Sequence, residues 1–113
     1  EDWAAATERL LRAEPEIDAL LVHNATVTPA VLHQLAVLNR KVGDDIAVAT
    51  YDDPISARWL GGGLPVVREP YAEVPHPLVA HTLARVKRQV SSADPQPALH
   101  EAKLIIRPSS SLA

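Results

Sequence analysis

Four short apolar runs, separated by segments with helical spacing, constrain the fold of this 113-residue chain more than any other feature. The runs cover residues 17–22, 46–50, 65–68 and 103–107. Each run is short and bounded by polar or turn residues, which is typical of a buried strand. Alternation of such strands with helices predicts parallel pairing through right-handed crossovers. The sequence therefore predicts an α/β fold with a mostly parallel sheet.

Composition narrows the possible chemistry. Apolar residues make up 47% of the chain but aromatic residues only 4%, so the core is expected to consist of Ala, Val, Leu and Ile. The absence of Cys excludes disulfides, thiolate chemistry and Cys-based metal sites. The net charge of −3 gives no electrostatic footprint for nucleic acid. No apolar run approaches the ~20 residues of a membrane span. Since the chain contains no Met, we expect a piece of a longer protein.

Three segments carry the spacing of amphipathic helices. The first has Trp3, Ala6, Leu10 and Leu11 on one face and is expected to stop at Pro15. In the second, capped by Thr26 or Thr28 with Pro29 in its first turn, an unusually broad apolar arc predicts burial on two sides, against the sheet and against a partner chain. The arc comprises Val27, Val31, Leu32, Leu35, Ala36, Val37 and Leu38, and Asn39 is expected to end the helix in a left-handed conformation. The third helix is predicted over residues 75–90.

Acidic residues follow two of the predicted strands. Asp52 and Asp53 come directly after the second strand, and Glu69 follows the third. In open α/β sheets, ligands bind in the crevice beyond the carboxyl ends of the strands. The pattern favours small-molecule binding, although the two aspartates are equally typical of an Asx-type turn before Pro54.

Enzymatic chemistry finds little support in the sequence. The five histidines lack the spacing of a metal site, and residues 61–63, a triple glycine, lack the Lys and helix start of a phosphate-binding loop. No serine lies in a nucleophile-elbow context. We therefore predict no catalytic residues, no bound metal and no cofactor, and hence a protein that is not an enzyme.

Four ordered blocks resemble one known family. IDALLVHN, DDIAVATYDD, LPVVREPY and KLIIRPSS are similar to the AIFAAND, DDISVVGFDD, LTTVRQPY and LIVRES blocks of lactose-repressor/galactose-repressor (LacI/GalR) family regulators. The resemblance implies a three-layer αβα, periplasmic-binding-protein-like type I fold, present in part as the C-terminal lobe. It implies that the helix-turn-helix headpiece, the hinge helix and most of the N-terminal lobe are absent.

The resemblance also divides the chain into three parts. Residues 1–72 correspond to the C-terminal lobe of the effector-binding and dimerisation domain, and residues 73–98 to a helix and loop that pack with the N-terminal lobe. Residues 99–113 correspond to the returning terminal strand and tail. The apolar stripe of the middle part is expected to lack its usual partner; it comprises Val79, Leu83, Val86 and Val90.

Four ligand-binding residues are implied by matching positions: Asn24, Asp52, Glu69 and Tyr71. An ionised carboxylate such as Asp52 accepts charge-assisted hydrogen bonds from vicinal hydroxyls, which suits a sugar. Departures from the family pattern are Ala25 for Asp and Thr50 for Gly, with Glu69 in place of an amide. They point to an effector different from the family's better-known sugars.

Each of these residues has a simpler alternative. Asn24 is also typical of a turn at a strand end, and Glu69 of an ion pair with Arg68 or Arg58. Tyr71 is more typical of a packed aromatic residue than of a ligand contact.

The resemblance further implies a homodimer. The expected interface lies on the second helix and beside the triple glycine, and comprises Val31, Leu32, Leu35, Trp59 and Leu60. The alternative is that these side chains only cover the sheet.

The leading hypothesis is an effector-binding and dimerisation portion of a cytoplasmic LacI-family transcription regulator, a repressor that senses a sugar. It would contact operator DNA only through a headpiece outside this chain, and no membrane. The alternative is the C-terminal lobe of a periplasmic-type sugar-binding transport protein. A receiver-like domain holding Mg²⁺ on Asp52 and Asp53 is disfavoured, because a receiver carries its acidic pair after the first strand.

Overall fold

The computed structural model describes residues 2–71, 75–87 and 99–110, and it has the predicted alternation of helices and strands. The main elements are α1 (Trp3–Ala13), β1 (Ala19–Val22), α2 (Thr28–Val37), β2 (Ala47–Tyr51), β3 (Val66–Arg68), α3 (Pro75–Val86) and β4 (Lys103–Ile105). Short 3-10 helices cover Ile55–Arg58, Leu60–Gly62 and Pro108–Ser110. The end of the predicted third helix, with Val90, lies outside the described residues.

The chain forms two compact units. The first comprises residues 1–68 and 104–113, and the second comprises residues 69–103. The sheet has the strand order β1-β2-β3-β4. β1 pairs with β2 and β2 with β3, both in parallel, which confirms the predicted α/β class with a mostly parallel sheet.

α1 forms as the sequence predicts, with one difference on its buried face. Asp2 caps the helix, because its Oδ1 accepts hydrogen bonds from the backbone N–H groups of Ala4 and Ala5 at 3.1 and 3.2 Å. The helix ends at Ala13, before Pro15. Leu11 and Thr7 are buried, whereas Leu10 remains 44% exposed. The buried face is therefore centred away from Leu10.

The core lies between the helices and one face of the sheet. α1 and α2 pack against each other and cover one face of the sheet. Alternate residues of each strand point to this face because of the pleat. The buried apolar cluster consists of Leu11, Val22, Val31, Leu35, Ile46, Val48 and Leu64. It contains no aromatic side chain, as the composition predicts.

The opposite face of the sheet is apolar and open in the described part of the first unit. Leu21, Leu104 and Ile106 are 62%, 64% and 65% exposed. They line a shallow groove of about 430 Å³ together with Ala47 and Ala49. The observed helical layer therefore covers one face of this sheet.

In the second unit, α3 carries the predicted apolar stripe, and its side chains are exposed. Val79, Leu83 and Val86 have exposed fractions of 56%, 51% and 75%. Among the described residues, no helix combines the length and hydrophobicity needed to span a bilayer.

Candidate ligand-binding site

The parallel sheet brings two of the predicted site residues to one edge. Val22 of β1 is in register with Thr50 of β2. Asn24 and Asp52 each lie two residues beyond this pair, so both follow the carboxyl ends of neighbouring strands. This edge is where α/β sheets bind ligands. Their contact with a ligand stays a prediction.

Asp52 has an uncommon backbone conformation. Its φ of +68° lies in the left-handed region, which costs a non-glycine residue roughly 1–2 kcal/mol. Its N–H donates to the Val67 carbonyl at 3.0 Å, which ties it to β3. The residue is half-buried and lies outside the apolar cluster of the core. Such backbone strain is common at ligand-binding and catalytic sites.

Asp53 is held by two arginines. Its side chain is 7% exposed, with Oδ1 2.7 Å from Arg107 Nη2 and Oδ2 3.6 Å from Arg68 Nη1. Arg107 also donates through Nη1 to the Leu64 carbonyl at 2.8 Å. The second aspartate of the pair therefore has a structural role, and Arg68, considered above as a partner of Glu69, pairs with Asp53.

Asn24 holds the turn before α2. Its Oδ1 accepts hydrogen bonds from the N–H groups of Thr26 and Val27 at 2.9 and 3.2 Å. Its Nδ2 lies 2.9 Å from His23 Nε2, so the amide nitrogen is the donor and the ring nitrogen the acceptor. Asn24 therefore has the turn role named as its alternative, with Nδ2 the group directed away from the backbone.

The predicted cap of α2 is wrong. Neither Thr26 nor Thr28 occupies the N-cap position. That position is Val27, whose apolar side chain makes no capping hydrogen bond. Thr28 lies one position later, where Pro29 follows it in the first turn as predicted. Asn24 Oδ1 instead stabilises the turn before the helix, through the N–H groups of Thr26 and Val27. At the other end, Asn39 has the predicted left-handed conformation, with φ +56°.

Two buried threonines join α2 to β2. Thr28 Oγ1 and Thr50 Oγ1 are 2.8 Å apart, and both side chains are 1% exposed. Thr28 Oγ1 also donates to the Asn24 carbonyl at 2.9 Å. The replacement of a family glycine by Thr50 thus has a partner in Thr28, just beneath the edge that carries Asn24 and Asp52.

Glu69 and Tyr71 belong to the second unit. Glu69 is half-buried and Tyr71 is 61% exposed, and the Tyr71 N–H donates to the Glu69 carbonyl at 2.9 Å. The exposure of Tyr71 contrasts with the packed alternative. A ligand contact by either residue stays a prediction.

The five predicted interface residues separate into two groups. Leu35 is fully buried and Val31 is 6% exposed, so both belong to the core and offer no side-chain surface to a partner. Leu32 and Leu60 are half-buried and line a surface groove of about 670 Å³. Trp59, the residue before Leu60, is 71% exposed.

Metal-binding chemistry is not visible in the described ranges. No group of three or more His, Asp or Glu side chains there lies close enough to hold a metal ion.

Solved structures similar to this chain share one description. The CelR–cellobiose complex, a transcriptional regulator, superposes with a TM-score of 0.85 at 25% identity, over 95% of this chain and 32% of the other. A LacI-family regulator from Arthrobacter sp. FB24 in complex with lactose gives 0.79 at 24% identity, over 96% and 40%. This chain has the LacI-family fold.

Another LacI-family regulator, from Lactobacillus casei with bound TRIS, is 31% identical at a TM-score of 0.65, over 95% of this chain and 40% of the other. The resemblance predicted from the four sequence blocks is thereby confirmed, as is the periplasmic-binding-protein-like fold class. The chain spans 32% to 40% of the length of these regulators. No protein-family model and no curated protein matches the sequence.

Sequence reasoning missed two interactions at this edge of the LacI-family fold. The Asp53–Arg107 ion pair joins residues 54 positions apart, and the Thr28–Thr50 pair joins residues 22 apart. A signal existed for the first pair, because Arg107 is the only charged residue in the IIRPSS ending. No local pattern identifies the second pair.

Proposed function

We propose that this chain is the effector-binding and dimerising part of a LacI-family transcription regulator, and that it binds a small sugar at the carboxyl end of its sheet. Asp52 is the proposed main contact, as an acceptor, and Asn24 Nδ2 is a proposed donor. Glu69 and Tyr71 are proposed contacts of the second unit. The proposal assigns no nucleic-acid contact to these 113 residues, whose net charge is −3.

One observation carries the proposal. A half-buried aspartate with left-handed backbone stands directly beyond β2, at the sheet edge where α/β folds bind ligands. The same fold occurs in regulators whose structures contain cellobiose or lactose. A carboxylate there suits a ligand rich in hydroxyl donors, because each hydroxyl donates to a charged acceptor.

The test is a titration of the chain with a panel of mono- and disaccharides that includes cellobiose and lactose, monitored by calorimetry or ligand-observed NMR. Asp52→Asn keeps the shape and removes the charge. A hydrogen bond to a charged group contributes about 1.5–3 kcal/mol, so we expect affinity to fall by roughly 10- to 100-fold.

The matched control is Asp44→Asn, an exposed aspartate in the turn before β2, at the opposite end of the strand. It is expected to leave affinity unchanged. Equal affinities for the Asp52 variant and the wild type would contradict the assignment of Asp52, and absence of binding by every sugar of the panel would contradict sugar binding by this chain.

A further inference from the structure

The carboxylate of Asp53 joins three separate parts of the chain. It follows Asp52 in sequence, and it contacts Arg68 on one side and Arg107 on the other. Arg68 is the last residue of the first unit before the chain enters residues 69–103, and Arg107 lies just after the chain returns at Leu104. Asp53 therefore contacts two residues of the first unit that lie near the points where the chain leaves for the second unit and returns from it.

Arg107 is itself held in place. Its guanidinium is 13% exposed and donates to Asp53 Oδ1 and, through its other terminal nitrogen, to the carbonyl of the fully buried Leu64. The planar arginine fork presents two donors in fixed geometry, so the carbonyl anchors the direction of the ion pair. Water screens this pair far less than it screens the Glu8–Arg12 pair of α1, whose side chains are 36% and 73% exposed.

The anchored side chain lies one peptide bond from Asp52. Asp52 has a left-handed φ of +68°, and its N–H donates to the Val67 carbonyl. The Cα atoms of Asp52 and Asp53 are about 3.8 Å apart across a trans peptide, as in any chain. With the Asp53 side chain held by Arg107 and the Asp52 N–H held by the Val67 carbonyl, the backbone of Asp52 is restrained on both sides.

We propose that Asp53 and Arg107 are positioning residues that hold Asp52 in its left-handed conformation and tie it to the two connections with the second unit. The positioning role is supported by the contacts of Asp53 with Arg68 and Arg107. The consequence for a ligand rests on the proposed function: a ligand bound to Asp52 is coupled through Asp53 to both connections, and the coupling acts in both directions.

The first experiment needs no ligand. Amide hydrogen exchange and the three-bond HN–Hα coupling of Asp52 are measured by NMR in the full 113-residue chain for Asp53→Asn and Arg107→Lys. The reference is the amide of Ala47, at the other end of β2, which donates to the Asp18 carbonyl at 2.7 Å. We expect protection of the Asp52 amide to fall at least tenfold relative to Ala47, and its coupling to change.

Arg107→Lys is the milder of the two variants and decides the test if Asp53→Asn fails to fold. In Arg107→Lys the ammonium group keeps the charge but cannot contact both Asp53 and the Leu64 carbonyl, so this variant is expected to give a smaller loss in the same direction. The matched control, Glu8→Gln, removes an exposed ion pair and is expected to change neither amide. A parallel loss at Asp52 and Ala47, or no loss at Asp52, would overturn the positioning role.

A second experiment tests the consequence for binding. With a sugar of the panel that the wild type binds, Asp53→Asn is expected to weaken binding at least fivefold, and D52N/D53N to bind no more weakly than Asp52→Asn alone, because Asp53 acts through Asp52. Additive losses would overturn the coupling to the ligand. If the wild type binds no sugar of the panel, sugar binding fails, while the exchange experiment still decides the positioning role.

Discussion

At the scale of single residues, two buried hydroxyls contact each other under the candidate site. Thr28 and Thr50 are both 1% exposed, and every buried hydroxyl must find a partner inside the protein. Thr28 Oγ1 also lies 2.9 Å from the Asn24 carbonyl and Thr50 Oγ1 3.0 Å from the Tyr51 carbonyl, so either hydroxyl can be the donor in the contact between them. The pair therefore connects the turn that carries Asn24 to the strand that carries Asp52.

This arrangement predicts similar costs for two similar substitutions. Thr28→Val removes the bond to the Asn24 carbonyl and the contact with Thr50, and Thr50→Val removes the bond to the Tyr51 carbonyl and the contact with Thr28. We expect each substitution to lower the free energy of unfolding by about 1–2 kcal/mol. Urea unfolding monitored by circular dichroism measures both; unchanged stability of either variant would contradict the role of the pair.

At the scale of elements, α2 begins without a side-chain cap and follows a turn held by Asn24. The Asn24 amide oxygen accepts from Thr26 and Val27, and the cap position itself has no side-chain bond. The same residue thus holds the turn that joins β1 to the helix. The two threonines that the sequence offers as caps are not used as such, because Thr28 turns inward to Thr50 and Asn24 already satisfies the Thr26 amide.

The turn can be tested without reference to any ligand. Asn24→Ala removes both bonds of the Asn24 side-chain oxygen and is expected to lower the free energy of unfolding by about 1 kcal/mol, whereas Asn24→Asp keeps the accepting oxygen and is expected to change it little. Thr26→Ala is the matched control, since its side chain does not cap the helix. Thermal or urea unfolding of the three variants decides; a larger loss for Thr26→Ala than for Asn24→Ala would contradict the assignment.

At the scale of the whole molecule, apolar side chains reach the surface beside α2. The half-buried Leu32 and Leu60 line one groove, and Trp59, which precedes Leu60 in the sequence, is 71% exposed. Large exposed aromatic residues are typical of protein interfaces. We retain Leu32, Trp59 and Leu60 as the proposed homodimer surface, with Val31 and Leu35 acting beneath it as core residues.

Sedimentation velocity over a range of concentrations tests this surface. Trp59→Glu is expected to raise the dimer dissociation constant by roughly thirtyfold or more, because truncating an interface tryptophan commonly costs about 2 kcal/mol or more. Ile55→Glu is the control, at a residue that is also 71% exposed but, unlike Trp59, is not adjacent in sequence to a residue of the groove. A wild-type chain that stays monomeric, or equal effects of the two variants, would contradict the proposal.

The order of elements could be predicted from the sequence because it depends on local properties. Apolar runs of strand length, helical spacing and stop residues such as Pro15 act within a few positions of the chain. The strand order and the position of Asp52 beyond β2 follow from parallel pairing, which the alternation of elements already implies. The bounds differ by one or two residues where strand pairing, rather than hydrophobicity, sets the end.

The sequence by itself determined the α/β class, the family resemblance and the strand-end positions of Asn24 and Asp52. Only the tertiary structure decided which residues of the broad α2 arc are buried: Leu35 lies in the core, whereas Leu32 reaches the surface. It also decided that Arg107 meets Asp53, 54 positions away. Spacing along a helix identifies neighbours on one face, but which face is covered, and which distant charges meet, depends on how the elements pack together.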